Sequence, residues 1–178
     1  MESIGHYPPS EKWRLSKMGL KMKAYRADKR RFLLGQTIFG ASEFPMLHPN
    51  GIEVEKILED ARPATKPVRK SSLFLFENKM HAERHWAKMS GGILYECEID
   101  PYSILHKGDM RLVDKVMDDI TTGGNAKITA DLYWSGAPTD DPIFELLLVQ
   151  ATIERVICDD QNKRRLRLIK GYSIFPEA

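Results

Sequence analysis

Residues 93–99, with the sequence ILYECEI, form the stretch that decides the fold class. Its odd-numbered positions carry Ile, Tyr, Cys and Ile, whereas two of its three even-numbered positions are glutamates. This period of two predicts a half-buried β-strand, with one face in the core and the other near water. A single strand needs partners, and the sequence on either side supplies both strand and helix patterns.

The predicted elements around this strand follow one another in mixed order with short connections. Apolar spacing predicts helices over residues 52–60, 78–92, 109–120 and 125–136. Strand patterns cover residues 20–28, 71–78, 144–157 and 165–175, and the last two flank a polar turn at 159–163. We therefore expect an α+β fold rather than a doubly wound parallel sheet. The whole chain, 1–178, is expected to form one domain, with residues 1–20 as an N-terminal extension that holds a short helix from Ser10 to Lys17.

Length and composition describe a soluble globular protein. The chain has 178 residues, of which 42% are hydrophobic and 29% charged, so collagen-like and disordered classes are excluded. No apolar run is long enough to cross a bilayer, and the first residues lack the hydrophobic segment of a secretory signal. Cys97 and Cys158 form no CxxC pair, which excludes a disulfide framework and a cysteine-rich zinc site. We expect a reduced, cytoplasmic protein with no membrane partner.

The formal net charge of +2 is a near-cancellation between segments of opposite sign. Residues 1–35 carry a net charge of +6, residues 36–160 a net charge of −8, and residues 161–178 a net charge of +4. The cation clusters at 21–31 and 163–170 are compatible with a phosphate backbone, although such runs are more often solvated surface. A non-catalytic nucleic-acid-binding module that uses these two clusters is therefore one hypothesis for the function.

Several familiar chemical signatures are missing from the sequence. Neither GxGxxG nor GxxxxGK[ST] occurs, so the usual dinucleotide-binding and P-loop folds are excluded. His81 and His85 lie four residues apart in a predicted helix, but no third ligand is near them in sequence, so we expect no metal. Any nucleotide would have to be held in another way.

Three separated segments, taken in order, resemble the mono-ADP-ribosyltransferases of the Arg, Ser, Glu type. The first is the strand at 24–28 (AYRAD), in which an arginine follows an aromatic residue. The second is the strand at 71–76 (SSLFLF) with the helix that follows it, similar to the family's serine-bearing strand. The third is FELLL at 144–148, which looks like the late strand whose catalytic glutamate precedes an aliphatic run. The resemblance spans about residues 22–157.

This resemblance implies a catalytic domain with a split core of two β-sheets and NAD, as co-substrate, in the cleft between them. Glu145 would be the catalytic residue. Arg26 would bind the NAD phosphates or ribose, and Ser71 or Ser72 would support the nicotinamide ribose and the glutamate. Three aromatic residues are candidates to stack on nicotinamide or adenine: Phe74, Tyr133 and Trp134.

The residues themselves agree with the chemistry of such a reaction. Cleavage of the bond between ribose and nicotinamide passes through an oxocarbenium-like state, which a carboxylate stabilises. Nicotinamide leaves neutral and needs no acid, so one carboxylate and a guanidinium that binds phosphate or ribose oxygens can suffice. A charged Glu145 inside the apolar run 143–149 indicates either the edge of a cleft or an outward position on an edge strand.

One position departs from the family pattern. Many relatives that modify arginine carry Glu or Gln two residues before the catalytic glutamate, where this chain has Ile143. The resemblance therefore argues against arginine as the acceptor and leaves nucleic acid, other protein side chains or a small molecule. We expect transfer to a macromolecular acceptor by a small toxin, effector or phage-defence enzyme, with an inhibitory partner such as an antitoxin protein. An NAD glycohydrolase, which transfers ADP-ribose to water, is the remaining enzymatic hypothesis.

Overall fold

Strands and helices alternate irregularly along the part of the chain that the computed structural model describes, residues 20–40, 51–89 and 91–159. The strands are β1 (Met22–Asp28), β2 (Thr37–Phe39), β3 (Leu73–Phe76), β4 (Ile93–Ile99), β5 (His106–Asp109), β6 (Phe144–Leu148) and β7 (Gln150–Cys158). The helices are α1 (Gly51–Asp60), α2 (Lys79–Lys88), α3 (Met110–Thr122) and α4 (Ala126–Ser135). The class is α+β, as expected. The short helix predicted from Ser10 to Lys17 and the strand predicted at 165–175 lie outside the described residues.

The seven strands belong to one antiparallel sheet with the order β2-β7-β4-β1-β3-β6-β5. β1 pairs with β4 along its whole length, whereas β1 and β3 pair only at Tyr25 and Phe76. This junction divides the sheet into a four-strand half, β2-β7-β4-β1, and a three-strand half, β3-β6-β5.

The connection between β6 and β7 shows that the sheet cannot be flat. The two strands are four positions apart in the sheet, a separation of about 19 Å if the sheet were flat. Only Val149 lies between them in sequence, so the Cα atoms of Leu148 and Gln150 are at most about 7.6 Å apart. The sheet therefore folds over at the junction, and its two halves face each other.

The folded sheet encloses an apolar cluster that draws residues from both halves. No residue of the four described helices belongs to this cluster. Its members include Ala24, Tyr95, Cys97 and Ile153 from the four-strand half and Leu75, Leu146 and Leu148 from the three-strand half. The resemblance implies a split core of two β-sheets, and the described strands form one hydrogen-bonded sheet with two facing halves. The reason is that the single pair at the junction and the short passage through Val149 keep the facing halves connected.

Helices cover the outer faces of the sheet. α1, α3 and α4 form a second apolar cluster over the three-strand half, and Leu147 of β6 belongs to it. α2 packs over β1, β3 and β4, with Trp86 against Leu94 in a third cluster. Side chains alternate along a strand, so Glu145 shares the face of Leu147 and points toward α1 and α4. None of the described helices is long and apolar enough to cross a membrane.

One strand prediction was wrong, and two strands were missed. Residues 144–157, predicted as one strand, are β6 and β7, because the chain passes from one half of the sheet to the other at Val149. Two short strands, β2 at residues 37–39 and β5 at residues 106–109, were not predicted, and Asp109, predicted to begin a helix, is the last residue of β5. Strands of three and four residues are too short to show a clear period of two.

Candidate functional site

The predicted catalytic residue, Glu145, has a buried carboxylate whose Oε1 is held by two donors. Its side chain is only 6% exposed. Oε1 accepts hydrogen bonds from Nη1 of Arg69 at 2.5 Å and from the Tyr133 hydroxyl at 2.7 Å. Among the described residues no group donates to Oε2. The one buried side-chain nitrogen or oxygen in the described part of the chain that lacks a partner is Nδ1 of His81, not an atom of Glu145. No described residue therefore competes with a ligand for Oε2.

Arg69 binds two carboxylates at once. Its Nε and Nη2 donate to the two carboxylate oxygens of Glu55, at 3.0 and 3.1 Å, while Nη1 binds Glu145 and also donates to the Tyr133 hydroxyl. The guanidinium carbon lies 4.9 Å from the centre of the Phe74 ring and 5.0 Å from that of Tyr133, so cation–π attraction adds to the ion pairs. The residues Glu55, Arg69, Tyr133 and Glu145 are called the carboxylate cluster below.

Four elements that are distant in sequence build this cluster: α1, the turn before β3, α4 and β6. The Trp134 side chain joins two of them, because its Nε1 donates to the Leu58 carbonyl of α1 at 2.6 Å. Gly108 of β5 pairs with Glu145, and a Cβ at this glycine would overlap the Tyr133 ring. A glycine is therefore required at 108 for Tyr133 to reach Glu145.

The charge of the carboxylate cluster is −1. Burial lowers the pKa of Arg69, but the charges of Glu145 and Glu55 raise it well above its ordinary value, so the guanidinium stays protonated. Burial and the Glu145 charge raise the pKa of Tyr133 well above its ordinary value, so the phenol stays neutral and donates. One guanidinium between two carboxylates leaves an excess negative charge, which favours a cationic ligand.

A neutral histidine supports Tyr133 from the side of β5. The His106 ring lies 5.0 Å from the Tyr133 ring and 4.9 Å from the Trp134 ring, and Nε2 is 3.1 Å from the Tyr133 carbonyl oxygen. Nζ of Lys66 lies 3.3 Å from Nδ1. Burial and the Lys66 charge lower the pKa of His106 to about 4. The tautomer with its proton on Nε2 satisfies both contacts, since it donates to the carbonyl and accepts from the lysine.

Arg26 lies on the opposite face of the sheet from Glu145. It shares the inner face with Ala24, and its Nε and Nη2 bind Asp28, both at 2.7 Å. Its Nη1 donates to the Phe74 carbonyl at 2.8 Å, across the junction between β1 and β3. The structure does not bring Arg26 to Glu145, although β1, β3 and β6, which carry the three resembling segments, are neighbours in the sheet.

The two serines lie at the far end of β3 from Glu145. The hydroxyls of Ser71 and Ser72 both donate to a backbone carbonyl in the preceding turn, at 3.2 and 2.8 Å. The register places Phe76 opposite Glu145, and Ser72 is about 13 Å along the strand from that point. From this segment it is the nearby Arg69, not a serine, that reaches the carboxylate.

The three aromatic candidates differ in access. Tyr133 and Trp134 are 0% and 1% exposed, so neither presents a ring face to solvent. Phe74 is half-buried. Phe74 is therefore the most exposed of these three aromatic residues.

Much of the basic segment 21–31 is already paired with acids. Lys21 binds Glu98 at 2.5 Å, and Lys23 binds Glu96 at 2.7 Å. Asp28 binds both Arg26 and Arg30. The second basic segment, 163–170, lies outside the described residues. These pairs leave fewer cations for a phosphate backbone than the sequence suggests.

The described residues do not gather a metal site. Nδ1 of His81 is buried without a partner, and the His85 ring packs 5.1 Å from the Phe76 ring. No group of three or more His, Cys, Asp or Glu residues in the described part of the chain could hold a metal ion.

Sequence reasoning missed Arg69 and Glu55. Arg69 stands among Lys66 and Lys70 in a Pro-containing connection, where a cation is normally solvated. Its burial depends on Glu145, 76 residues away, which no local pattern shows. The only signal for Glu55 is that it adjoins Val54, a buried position of α1.

A scan against models of known protein families finds no match for this chain, and a search of curated protein sequences finds none either. The resemblance to the ADP-ribosyltransferases therefore rests on the segments quoted above, and the function is argued from the geometry of the carboxylate cluster.

Proposed function

We propose that the chain is an NAD-dependent mono-ADP-ribosyltransferase in which Glu145 is the catalytic residue. The observation that carries this proposal is the arrangement of the Glu145 carboxylate, with Oε1 held by Arg69 and Tyr133 and no described residue donating to Oε2. A carboxylate that is already fixed beside a developing cation stabilises it without reorganisation during the reaction.

The charge of the cluster matches the charge that the reaction develops. In NAD the nicotinamide ring is a pyridinium cation. When its bond to the ribose breaks, nicotinamide leaves with the bonding electron pair, and the positive charge moves to the ribose ring. The cluster's net charge of −1 favours both the substrate cation and the oxocarbenium-like state. Oε2 of Glu145, to which no described residue donates, is the oxygen that would face this charge.

Other parts of the structure support or modify the expected NAD contacts. The half-buried Phe74 ring adjoins Arg69, and stacking of nicotinamide or adenine on it remains a prediction. Contact of Arg26 with NAD remains a prediction, although Arg26 lies on the opposite face of the sheet from Glu145 and is paired with Asp28. Roles for Ser71 and Ser72 in NAD binding also remain predictions.

The wider function is proposed on the sequence alone. The acceptor would be nucleic acid or protein, and Ile143 argues against arginine as its preferred group. A role as a toxin, effector or phage-defence enzyme, with an inhibitory partner, belongs to the same proposal.

The first prediction concerns Glu145→Gln. Purified protein is incubated with NAD, and release of nicotinamide and transfer of labelled ADP-ribose to cell lysate are measured. The substitution keeps the shape of the side chain but removes its charge, so we expect both rates to fall at least 100-fold. Wild-type protein that releases no nicotinamide would overturn the proposed function and favour the non-catalytic nucleic-acid-binding alternative.

Glu96→Gln is the matched control for loss of a buried carboxylate. Glu96 is 2% exposed and binds Lys23 and Arg155. It lies three strands from Glu145 on the same face of the sheet, in the row of paired residues that passes through Tyr25 and Phe76. Both variants remove one charge from ion pairs, so a general loss of stability would affect both. We expect Glu96→Gln to retain activity, and thermal unfolding of both variants shows that each is folded.

A further inference from the structure

The second carboxylate of the cluster, Glu55, differs from Glu145 in its access to solvent. Its side chain is 23% exposed, whereas that of Glu145 is 6% exposed. Both carboxylates bind the same guanidinium, through different nitrogen atoms of Arg69. Glu55 therefore lies at the outer side of the cluster, where a second substrate can approach.

The contacts of Glu55 leave it able to accept a proton. Each of its oxygens accepts one N–H from Arg69, and a carboxylate has about four lone-pair sites in all. The charge of Arg69 is shared with Glu145, so Glu55 is not fully neutralised by its partner. Its carboxylate combines free lone pairs, partial exposure and closeness to the reacting centre.

We propose that Glu55 is the general base for the acceptor, an inference that rests on the proposed function. As the bond between ribose C1′ and the nicotinamide nitrogen breaks, the electron pair leaves with nicotinamide. The acceptor oxygen or nitrogen bonds to C1′, and its proton passes to the Glu55 carboxylate, which later releases it to water.

This role limits the chemical class of the acceptor. The nucleophile must carry a proton at neutral pH, as a hydroxyl or an N–H group does. An anionic nucleophile such as a terminal phosphate has no proton to give and is repelled by the net charge of the cluster. Water also meets the requirement, so Glu55 would assist hydrolysis of NAD as well.

The second prediction tests this role with small acceptors. Glu55→Ala and Glu55→Gln are assayed with NAD in the presence of methanol, which needs a base, or of azide, which is already an anion. We expect formation of ADP-ribose and of its methyl glycoside to fall at least tenfold in both variants. Azide should restore nicotinamide release and yield ADP-ribosyl azide. Glu59→Gln, one turn further along α1 and paired with Arg62 at the surface, is the control and should match wild type.

The outcomes separate this inference from the proposed function. Unchanged rates in the Glu55 variants would overturn the role of the general base while the enzyme assignment stands. A loss that azide does not restore would also overturn it, because Glu55 would then act only by holding Arg69. Absence of NAD cleavage by wild-type protein would remove the proposed function and this inference together.

Discussion

At the scale of single residues, Arg69 determines whether a charged Glu145 can stay in the core. An isolated buried carboxylate is costly, and Arg69 is the only cation that the structure places on it within the described residues. The third prediction is that Arg69→Met lowers the free energy of unfolding by about 3–5 kcal/mol, measured by urea denaturation at neutral pH. The loss arises because two carboxylates remain, one of them buried and without its partner.

Arg155→Met is the control for this prediction. Arg155 also binds a buried glutamate, Glu96, but its own side chain is 58% exposed, and Lys23 still holds Glu96 after the change. We expect Arg155→Met to lower the free energy of unfolding by less than about 1 kcal/mol. Equal losses in the two variants would show that the position of Arg69 has no special importance.

The sequence identified one member of the carboxylate cluster as a site residue for a physical reason and another only by resemblance. Glu145 is conspicuous because a charge interrupts an apolar strand, which requires a partner or a cleft. Tyr133 was named as an aromatic near NAD, whereas the structure uses its hydroxyl on Glu145. Arg69 and Glu55 could not be found in this way, because long-range contacts alone distinguish them from surface charges.

At the scale of elements, local pattern predicted those strands and helices that have a clear period and clear ends. The strand predicted at 93–99 is β4, Ile93–Ile99, and the helix predicted within 125–136 is α4, which Gly136 ends with a left-handed conformation. The break at Val149 was missed because both of its flanks have the same apolar character. Only the pairing of β6 with β3 and of β7 with β4 separates them.

The start of α3 and the approach to β6 depend on one carboxylate, Asp109. Its Oδ1 accepts from the backbone N–H groups of Arg111 and Ile143, and its Oδ2 from the backbone and hydroxyl of Thr139. Burial raises the pKa of Asp109, but these hydrogen bonds outweigh it and hold the pKa below its ordinary value. The ionised Asp109 carboxylate therefore stabilises the folded state fully at neutral pH, and this stabilisation is lost as the pH falls through the pKa of Asp109 in the folded state.

The fourth prediction is that Asp109→Asn lowers the free energy of unfolding by about 1–3 kcal/mol at pH 7. This difference from wild type should shrink as the pH falls below about 4, because the wild-type carboxyl then also takes up a proton. Urea denaturation between pH 3 and pH 7 measures it. Asp141→Asn, an exposed partner of Arg111, should change little at any pH. A difference that is constant down to pH 3 would contradict the assigned role of the charge.

At the scale of the whole molecule, the net charge of +2 conceals a pattern of local pairing. Cations of β1 and of the residues on either side of it meet carboxylates of β1 and β4, so the basic run at 21–31 helps to hold the four-strand half together. The sequence showed the charges but not their partners, because pairing across strands depends on register. The fold-over of the sheet was hidden for the same reason, since strand order is a property of the entire chain.

The junction between the two halves of the sheet leads to the fifth prediction. One strand pair joins β1 to β3, and Arg26 reinforces it by binding Asp28 and donating to the Phe74 carbonyl. Arg26→Met removes both contacts, so we expect the free energy of unfolding to fall by about 3 kcal/mol. This is the lower end of the range for a broken buried ion pair, because Arg30 still binds Asp28. Amide hydrogen exchange should rise more in β3, β6 and β5 than in β4 and β1, since the three-strand half loses its attachment.

Arg30→Met, the control, leaves the junction intact and should lower the free energy of unfolding by less than about 1 kcal/mol. Equal loss of protection in all strands would show that the halves unfold together and that the junction is not the weak point of the fold.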